Sequence, residues 1–266
     1  AIASSPLGHF IATAIAGHHA GLLDSRHESH ASLENRLRKS FGQEIPNITA
    51  PTQITDQKLP PLPTFIKQQR HDPSFSAAFF QRLLFSCLVD ADFLATEAFM
   101  NPAQASLRPA TAFDLFPKAL QLLETEINSF GTPAPVDKVA TARATVVQDC
   151  AQGATSPPGI FTLTVPTGGG KTLSSFNFAL RHAIAHRKRR IIYVVPFTSI
   201  IEQNAAVFRD LLAPLGENTL IEHHSNLSPD QEKTQTTTSR LATENWDAPI
   251  IITTAVQFYE SLYACK

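Results

Sequence analysis

The segment Pro166-Thr167-Gly168-Gly169-Gly170-Lys171-Thr172 constrains this chain more than any other. It follows an apolar β-type run, Ile160 to Val165, and precedes a helical pattern in which Leu173, Phe176, Leu180, Ala183 and Ile184 share one face. Strand, glycine loop and helix in that order are the context of a phosphate-binding loop. Glycines let backbone N–H groups turn inward with no Cβ in the way. Those groups and the start of the helix make a cradle for anionic phosphates. Lys171 can reach the outer phosphates and the Thr172 hydroxyl can ligate Mg²⁺. The spacing therefore predicts a site for a nucleoside triphosphate, ATP first among them. Thr167, Gly168, Gly169, Gly170, Lys171 and Thr172 are its candidate residues, with Lys171 and Thr172 in the catalytic roles. The strict loop pattern asks for glycine five residues before Gly170, where this chain has Val165. The plainer alternative is a glycine-rich turn that holds nothing.

The 266 residues suffice for two domains, and an apolar fraction of 43% can supply their cores. A net charge of −1 gives no whole-molecule field toward nucleic acid or membrane, so any DNA contact must be local. The 3 cysteines, Cys87, Cys150 and Cys265, sit far apart in or beside apolar patterns. Buried reduced thiols in a cytoplasmic protein are expected. No run approaches the ~20 apolar residues of a membrane span. Phe10 to Gly17 is short and has no basic residues before it, unlike a signal peptide.

Helical patterns fill the first half. Pro6 to Leu22 places Ile11, Ile15, His18, His19 and Leu22 on one face, and Ser32 to Phe41 is a short basic helix. A long helix is expected over Ser74 to Phe99, with Phe80, Leu83, Leu84, Cys87, Leu88 and Ala91 as its buried stripe. Phe113 to Asn128 follows. Gly131-Thr132-Pro133-Ala134-Pro135 marks the boundary, after which the grammar changes. A helix from about Val136 to Ala151 leads into strands at Ile160 to Val165, Ile191 to Val195, Leu220 to Glu222 and Ile250 to Thr254, separated by helices. That alternation predicts a mostly parallel sheet. The expected fold class is multidomain: all-helical first, then α/β. Ser228 to Ser239 is polar and threonine-rich, a surface loop by composition.

Two further blocks have the form of a strand running into a helix. They are Val195-Pro196-Phe197-Thr198-Ser199-Ile200-Ile201-Glu202-Gln203, where Ser199 and Glu202 have capping-box spacing, and Ile250 to Phe258. Small hydroxyl residues and helix N-termini at strand ends can hold a nucleic-acid backbone. With the glycine loop, the blocks resemble motifs I, Ia and Ib of superfamily 2 helicases. Gly159 to Thr164, Pro196 to Gln203, Glu222-His223-His224-Ser225-Asn226 and Glu244-Asn245-Trp246-Asp247-Ala248-Pro249 are similar to the CRISPR-associated nuclease-helicases of type I systems, notably subtype C. The resemblance covers nearly all of the second half.

It implies an HD-type nuclease domain ahead of a RecA-like helicase domain. Such a domain holds one or two transition metals, and imidazole with carboxylate suits Mn, Fe, Co, Ni or Zn. Ala16-Gly17-His18-His19-Ala20-Gly21-Leu22 matches the family's paired-histidine motif and Leu88-Val89-Asp90-Ala91-Asp92 its closing aspartate motif. By resemblance the ligands are His18, His19 and Asp90, with Asp92 next in line if the register differs. Paired histidines on an amphipathic helix also have a purely structural reading. Asp90 lies at the margin of an apolar stripe, where a carboxylate is costly unless paired or on a metal. His71-Asp72 precedes Pro73 and reads as a helix N-cap instead of a ligand pair. His223-His224 reads as structural or DNA-facing, and Arg187-Lys188-Arg189-Arg190 as a solvated turn.

The division that follows is 1–112 for the C-terminal part of the HD-type domain, 113–135 for a helix and linker, and 136–266 for the N-terminal part of the first RecA-like domain. Both domains are expected to be incomplete. The family's upstream HD ligands, its Asp-Glu-x-His motif and its second RecA-like lobe have no match here, and Ala1 opens within a helical pattern. The resemblance implies an ATP-dependent nuclease-helicase that degrades single-stranded invader DNA beside a Cascade-type CRISPR surveillance complex, with no membrane partner. This stretch alone is expected to be inactive. The alternatives are a restriction- or repair-type superfamily 2 translocase and a truncated nucleotide-binding module.

Overall fold

The computed structural model describes residues 5–22, 32–38, 58–68, 73–108, 115–196, 198–224 and 237–263. The chain divides into two compact units, residues 1–105 with 259–266, and residues 106–258.

The described part of the first unit is helical: α1 (Pro6–Gly17), α2 (Leu33–Arg38), α3 (Thr64–Gln68), α4 (Pro73–Met100) and α5 (Pro102–Ala105). Ser5 caps α1, its hydroxyl accepting from the Gly8 N–H at 2.9 Å, and Pro6 occupies the first turn. The buried face of α1 is Leu7, Gly8, Thr13, Ala14 and Gly17, which differs from the expected one. Ile15 is 54% exposed. A Cβ on Gly17 would stand 3.3 Å from the Leu22 Cα and in ordinary contact, at 3.6 Å, with the Phe85 ring of α4. Phe10 meets Phe80 edge-on at 5.3 Å, and the Gln81 amide donates to the Phe10 carbonyl.

Helix α4 begins at Pro73, but its expected stripe needs correction. Phe85 is the buried ring, Phe80, Leu83, Leu84 and Leu88 are half-buried, and Cys87 and Ala91 are exposed. The apolar residues of α4 are spread around the helix, so periodicity alone did not single out the face that α1 covers. Phe93, Phe99 and Met100 lie open farther along. His71, Asp72 and Cys265 fall outside the described residues.

The second unit is α/β. Its elements are α6 (Phe116–Ser129), α7 (Lys138–Gly153), α8 (Lys171–Ala185), β1 (Ile191–Val195), α9 (Thr198–Leu212), β2 (Leu220–His223), α10 (Thr237–Asn245), β3 (Ile250–Thr254) and α11 (Ala255–Tyr263), whose last turns belong to the first unit. All strand pairs are parallel in the order β1-β3-β2, with Ile250 opposite both Ile191 and Leu220. Strand β3 is buried on both faces, as a continuous run of apolar residues in a parallel sheet requires. Ile250 and Ile252 enter a core with Phe116, Leu123, Phe176, Leu180 and Phe208. Ile251 turns the other way, to Ile221, Ala242, Trp246 and Ala248. Cys150 is buried; that burial, and then the Asp149 charge, raises its thiol pKa.

Ile160 to Val165 is not a strand, contrary to expectation. A strand needs a ladder, and both ladders among the described residues run to β3. The segment carries no regular structure, with Ile160 99% exposed. Phe161 instead rests edge-on against Phe178 and His182 of α8. Ser199, Glu202 and most of Ser228 to Ser239 lie among side chains or residues outside the description.

Trp246 closes the smaller core and donates its indole N–H to His223 Nδ1 at 2.7 Å. Trp246→Phe keeps the aromatic bulk but removes the donor. It should lower stability by about 1 kcal/mol, read as a shifted urea midpoint at unchanged slope.

Candidate nucleotide and metal sites

The glycine loop is shaped by three separate demands on its backbone. Gly168 and Gly170 sit at φ +80° and +81°, where side-chain-bearing residues are strained. Gly169 has an ordinary φ but no space: a Cβ there would lie 2.3 Å from Val165 Cγ1 and 3.0 Å from the Pro166 carbonyl oxygen. The Gly169 N–H closes the turn on that same carbonyl at 3.1 Å. Helix α8 then starts at Lys171 with Gly170 as its cap, so the amides of its first turn have no partner within the helix. The Lys171 ammonium folds back on the Val165 carbonyl at 3.0 Å.

Neighbouring elements hold this loop. Arg143 of α7 donates Nε–H to the Gly168 carbonyl at 2.8 Å, and its stem lies 3.5 Å from where a Gly170 Cβ would be. The Thr172 hydroxyl donates to Asn204 Oδ1 of α9 at 3.3 Å. Ser175 donates to the Thr172 carbonyl and meets the Tyr193 hydroxyl of β1 at 3.2 Å. Burial raises the Tyr193 pKa above its ordinary value, with the Ser175 bond opposing, so the phenol stays neutral. Behind the loop, His182 and His186 bond the carbonyls of Ala154 and Ser156, each at 2.8 Å. A cradle of amides, an ammonium and a hydroxyl at one helix start fits a triphosphate with its Mg²⁺.

The sequence carries little sign of the loop's cross-contacts. Asn204 stands one residue past the second block, between the buried Ile201 and Ala205. A polar residue at that helical position was the available signal. Arg143 had none, because its partner is a backbone atom 25 residues away.

In the helical unit the paired histidines stand in the turn after α1, not within the helix. Their rings are 3.8 Å apart between centroids. Among the described residues, ligand atoms of His18, His19 and Asp92 lie within 4.8 Å of one another. Asp90, the expected ligand, is not in that group. On a helix, residues two apart point about 200° away from each other, so only one of the two aspartates can face the histidines. The chemistry of the set fits a transition metal. His18 Nδ1 contacts the Ile15 carbonyl at 2.6 Å; donating its proton there leaves Nε2 with the lone pair, the usual arrangement around a metal-bound imidazole.

The other singled-out residues have structural surroundings. His223 accepts from Trp246, and the Thr253 hydroxyl donates to its carbonyl. His224 is buried. Arg187 turns the chain at φ +51°, and Arg190 lies 3.7 Å from Asp247. Among the described residues no helix is long and apolar enough to cross a membrane.

Comparison with known proteins locates the second half. Residues 137–265 match the family described as Type III restriction enzyme, res subunit. The chain is also 33% identical over 129 residues to the CRISPR-associated nuclease/helicase Cas3 of Haloferax volcanii, an alignment taking in 41% of this chain. The chain spans 14% of that relative's length.

Proposed function

We propose that residues 137–265, a Cas3-like superfamily 2 helicase segment, bind ATP with Mg²⁺ as part of a motor that moves on single-stranded DNA. One observation carries the reading: three consecutive glycines, two left-handed and one with no room for a Cβ, directly before α8. A turn of no consequence does not need all three. Thr167 to Gly170 would surround the phosphates with amides, Lys171 would leave the Val165 carbonyl for the outer phosphates, and Thr172 would hold Mg²⁺. The cation's role when bound is to neutralise charge between the outer phosphates. Calorimetric titration of the chain with MgATP tests this directly. One-to-one binding is expected, and a flat titration would remove the reading.

In the helical unit the proposed ligands are His18, His19 and Asp92, holding Mn, Fe, Co, Ni or Zn. Such a metal supplies an activated water and a clamp for a phosphodiester. The unit would be the nuclease part of an HD-type domain serving CRISPR interference beside a surveillance complex. Asp92→Asn should weaken Mn²⁺ or Ni²⁺ binding by about tenfold or more, while Asp90→Asn leaves it unchanged. Equal effects from both would reject the assignment.

The match to a restriction-enzyme family favours one second reading, a restriction- or repair-type translocase with an unrelated helical domain. That protein would not need the metal, so the same titration separates the two.

A further inference from the structure

We infer that Asn204 is the positioning residue for the Thr172 hydroxyl, aiming its lone pair at the cation of a bound nucleotide; this rests on the nucleotide reading above. A hydroxyl has one proton and two lone pairs. To ligate a cation it must present a lone pair and send its proton elsewhere. Threonines inside helices usually send it to the carbonyl four residues back. Thr13, Thr125, Thr141 and Thr145 all do so here. Thr172 does not. The carbonyl four residues before it is that of Gly168, which lies in the left-handed loop and accepts from Arg143. The Thr172 proton crosses instead to the amide oxygen of Asn204 on α9.

That acceptor is firmly mounted. Asn204 adjoins Ala205 and follows Ile201 by one turn, both fully buried, and Phe208 of the same helix stacks on Phe176 of α8 at 4.4 Å. The two helices therefore hold hydroxyl and amide in fixed relation. An amide suits the task because it accepts the proton without adding a charge that would itself attract the cation. Groups that orient a metal ligand in this way typically change metal affinity by about 10- to 100-fold when removed.

The test uses this chain and a fluorescent ADP analogue, with affinity measured across a Mg²⁺ series and in EDTA. Asn204→Ala should leave affinity in EDTA at the wild-type value and raise the Mg²⁺ concentration for half-maximal enhancement about tenfold. Asn204→Asp keeps the acceptor and should restore a midpoint at or below wild type. In a Thr172→Ala background, Asn204→Ala should add nothing, since it acts through that hydroxyl. Alanine is the stronger helix former, so the fold is not at risk. An unmoved Mg²⁺ midpoint, an equal loss with and without Mg²⁺, or additive effects of the two substitutions would each overturn the proposal while leaving the nucleotide site standing. Failure of the wild-type chain to bind the analogue at all would instead remove the nucleotide reading, and this inference with it.

Discussion

Lys171→Ala should weaken MgATP binding by about 10- to 100-fold, because it deletes the ammonium at the start of α8 that can reach the outer phosphates. Hydrogen bonds to charged groups contribute roughly 1.5–3 kcal/mol, and 1.4 kcal/mol is a factor of about ten. The amides of the cradle remain, so residual binding is expected. Any ATP hydrolysis should fall further, by about 10²- to 10³-fold, since charge builds on the phosphoryl oxygens only as the bond breaks. Stability should hardly change. Among the described residues the ammonium meets the Val165 carbonyl, in an exposed setting. Calorimetry for binding, phosphate release for hydrolysis and a thermal melt for stability give three independent readings. Unchanged MgATP affinity would mean that the nucleotide, if bound, lies elsewhere.

The second large effect is expected at Gly169. Its substitution by alanine drives a Cβ to 2.3 Å from Val165 Cγ1 and 3.0 Å from the Pro166 oxygen. Valine is stiff about χ1 and cannot easily turn its methyl aside. The loop backbone must move, with strain of about 1–3 kcal/mol and a drop in MgATP affinity of roughly 10- to 100-fold. Val165→Ala in the same chain removes the worse collision and should recover part of the loss. The Pro166 carbonyl remains, so recovery should be incomplete. Gly168 makes a useful contrast. Nothing lies within 4 Å of a Cβ there, so its alanine variant bears backbone strain alone. If Gly169→Ala binds MgATP as wild type does, the amides of this loop are not the binding surface.

What the sequence could reveal followed from local pattern. Strands Ile191–Val195 and Ile250–Thr254 have the expected bounds because apolar β-branched runs flanked by breakers leave few choices. Periodicity served α8 well, since Phe176, Leu180 and Ala183 are its buried apolar residues, though Ile184 is 38% exposed. It failed on α1, whose buried residues are Leu7 and Thr13 with the small Gly8, Ala14 and Gly17, and not Ile15. Ile160 to Val165 has strand composition without a strand, because pairing depends on neighbours that composition does not report. At the candidate metal group, Asp90 and Asp92 differ in helical phase, which the sequence leaves open, and Asp92 is the one whose carboxylate lies near His18 and His19. Asn204 and Arg143 touch the loop through distant or backbone partners, which no spacing rule registers.

The order of the sheet has a consequence for how the second unit is made. Of the three described strands β3 comes last along the chain, yet it is the one to which β1 and β2 both attach. Until residues 250–254 leave the ribosome, β1 and β2 lack the strand that joins them among the described residues, and the cores of Ile191, Val195 and Ile221 lack their β3 side chains. At roughly 5–20 residues added per second, the nascent chain spends seconds with those edges bare. Such a topology relies on long-range closure, which slows folding and exposes it to misassociation. Holdase chaperones should therefore engage this unit between the emergence of β1 and that of β3, and release it once the middle strand slides in.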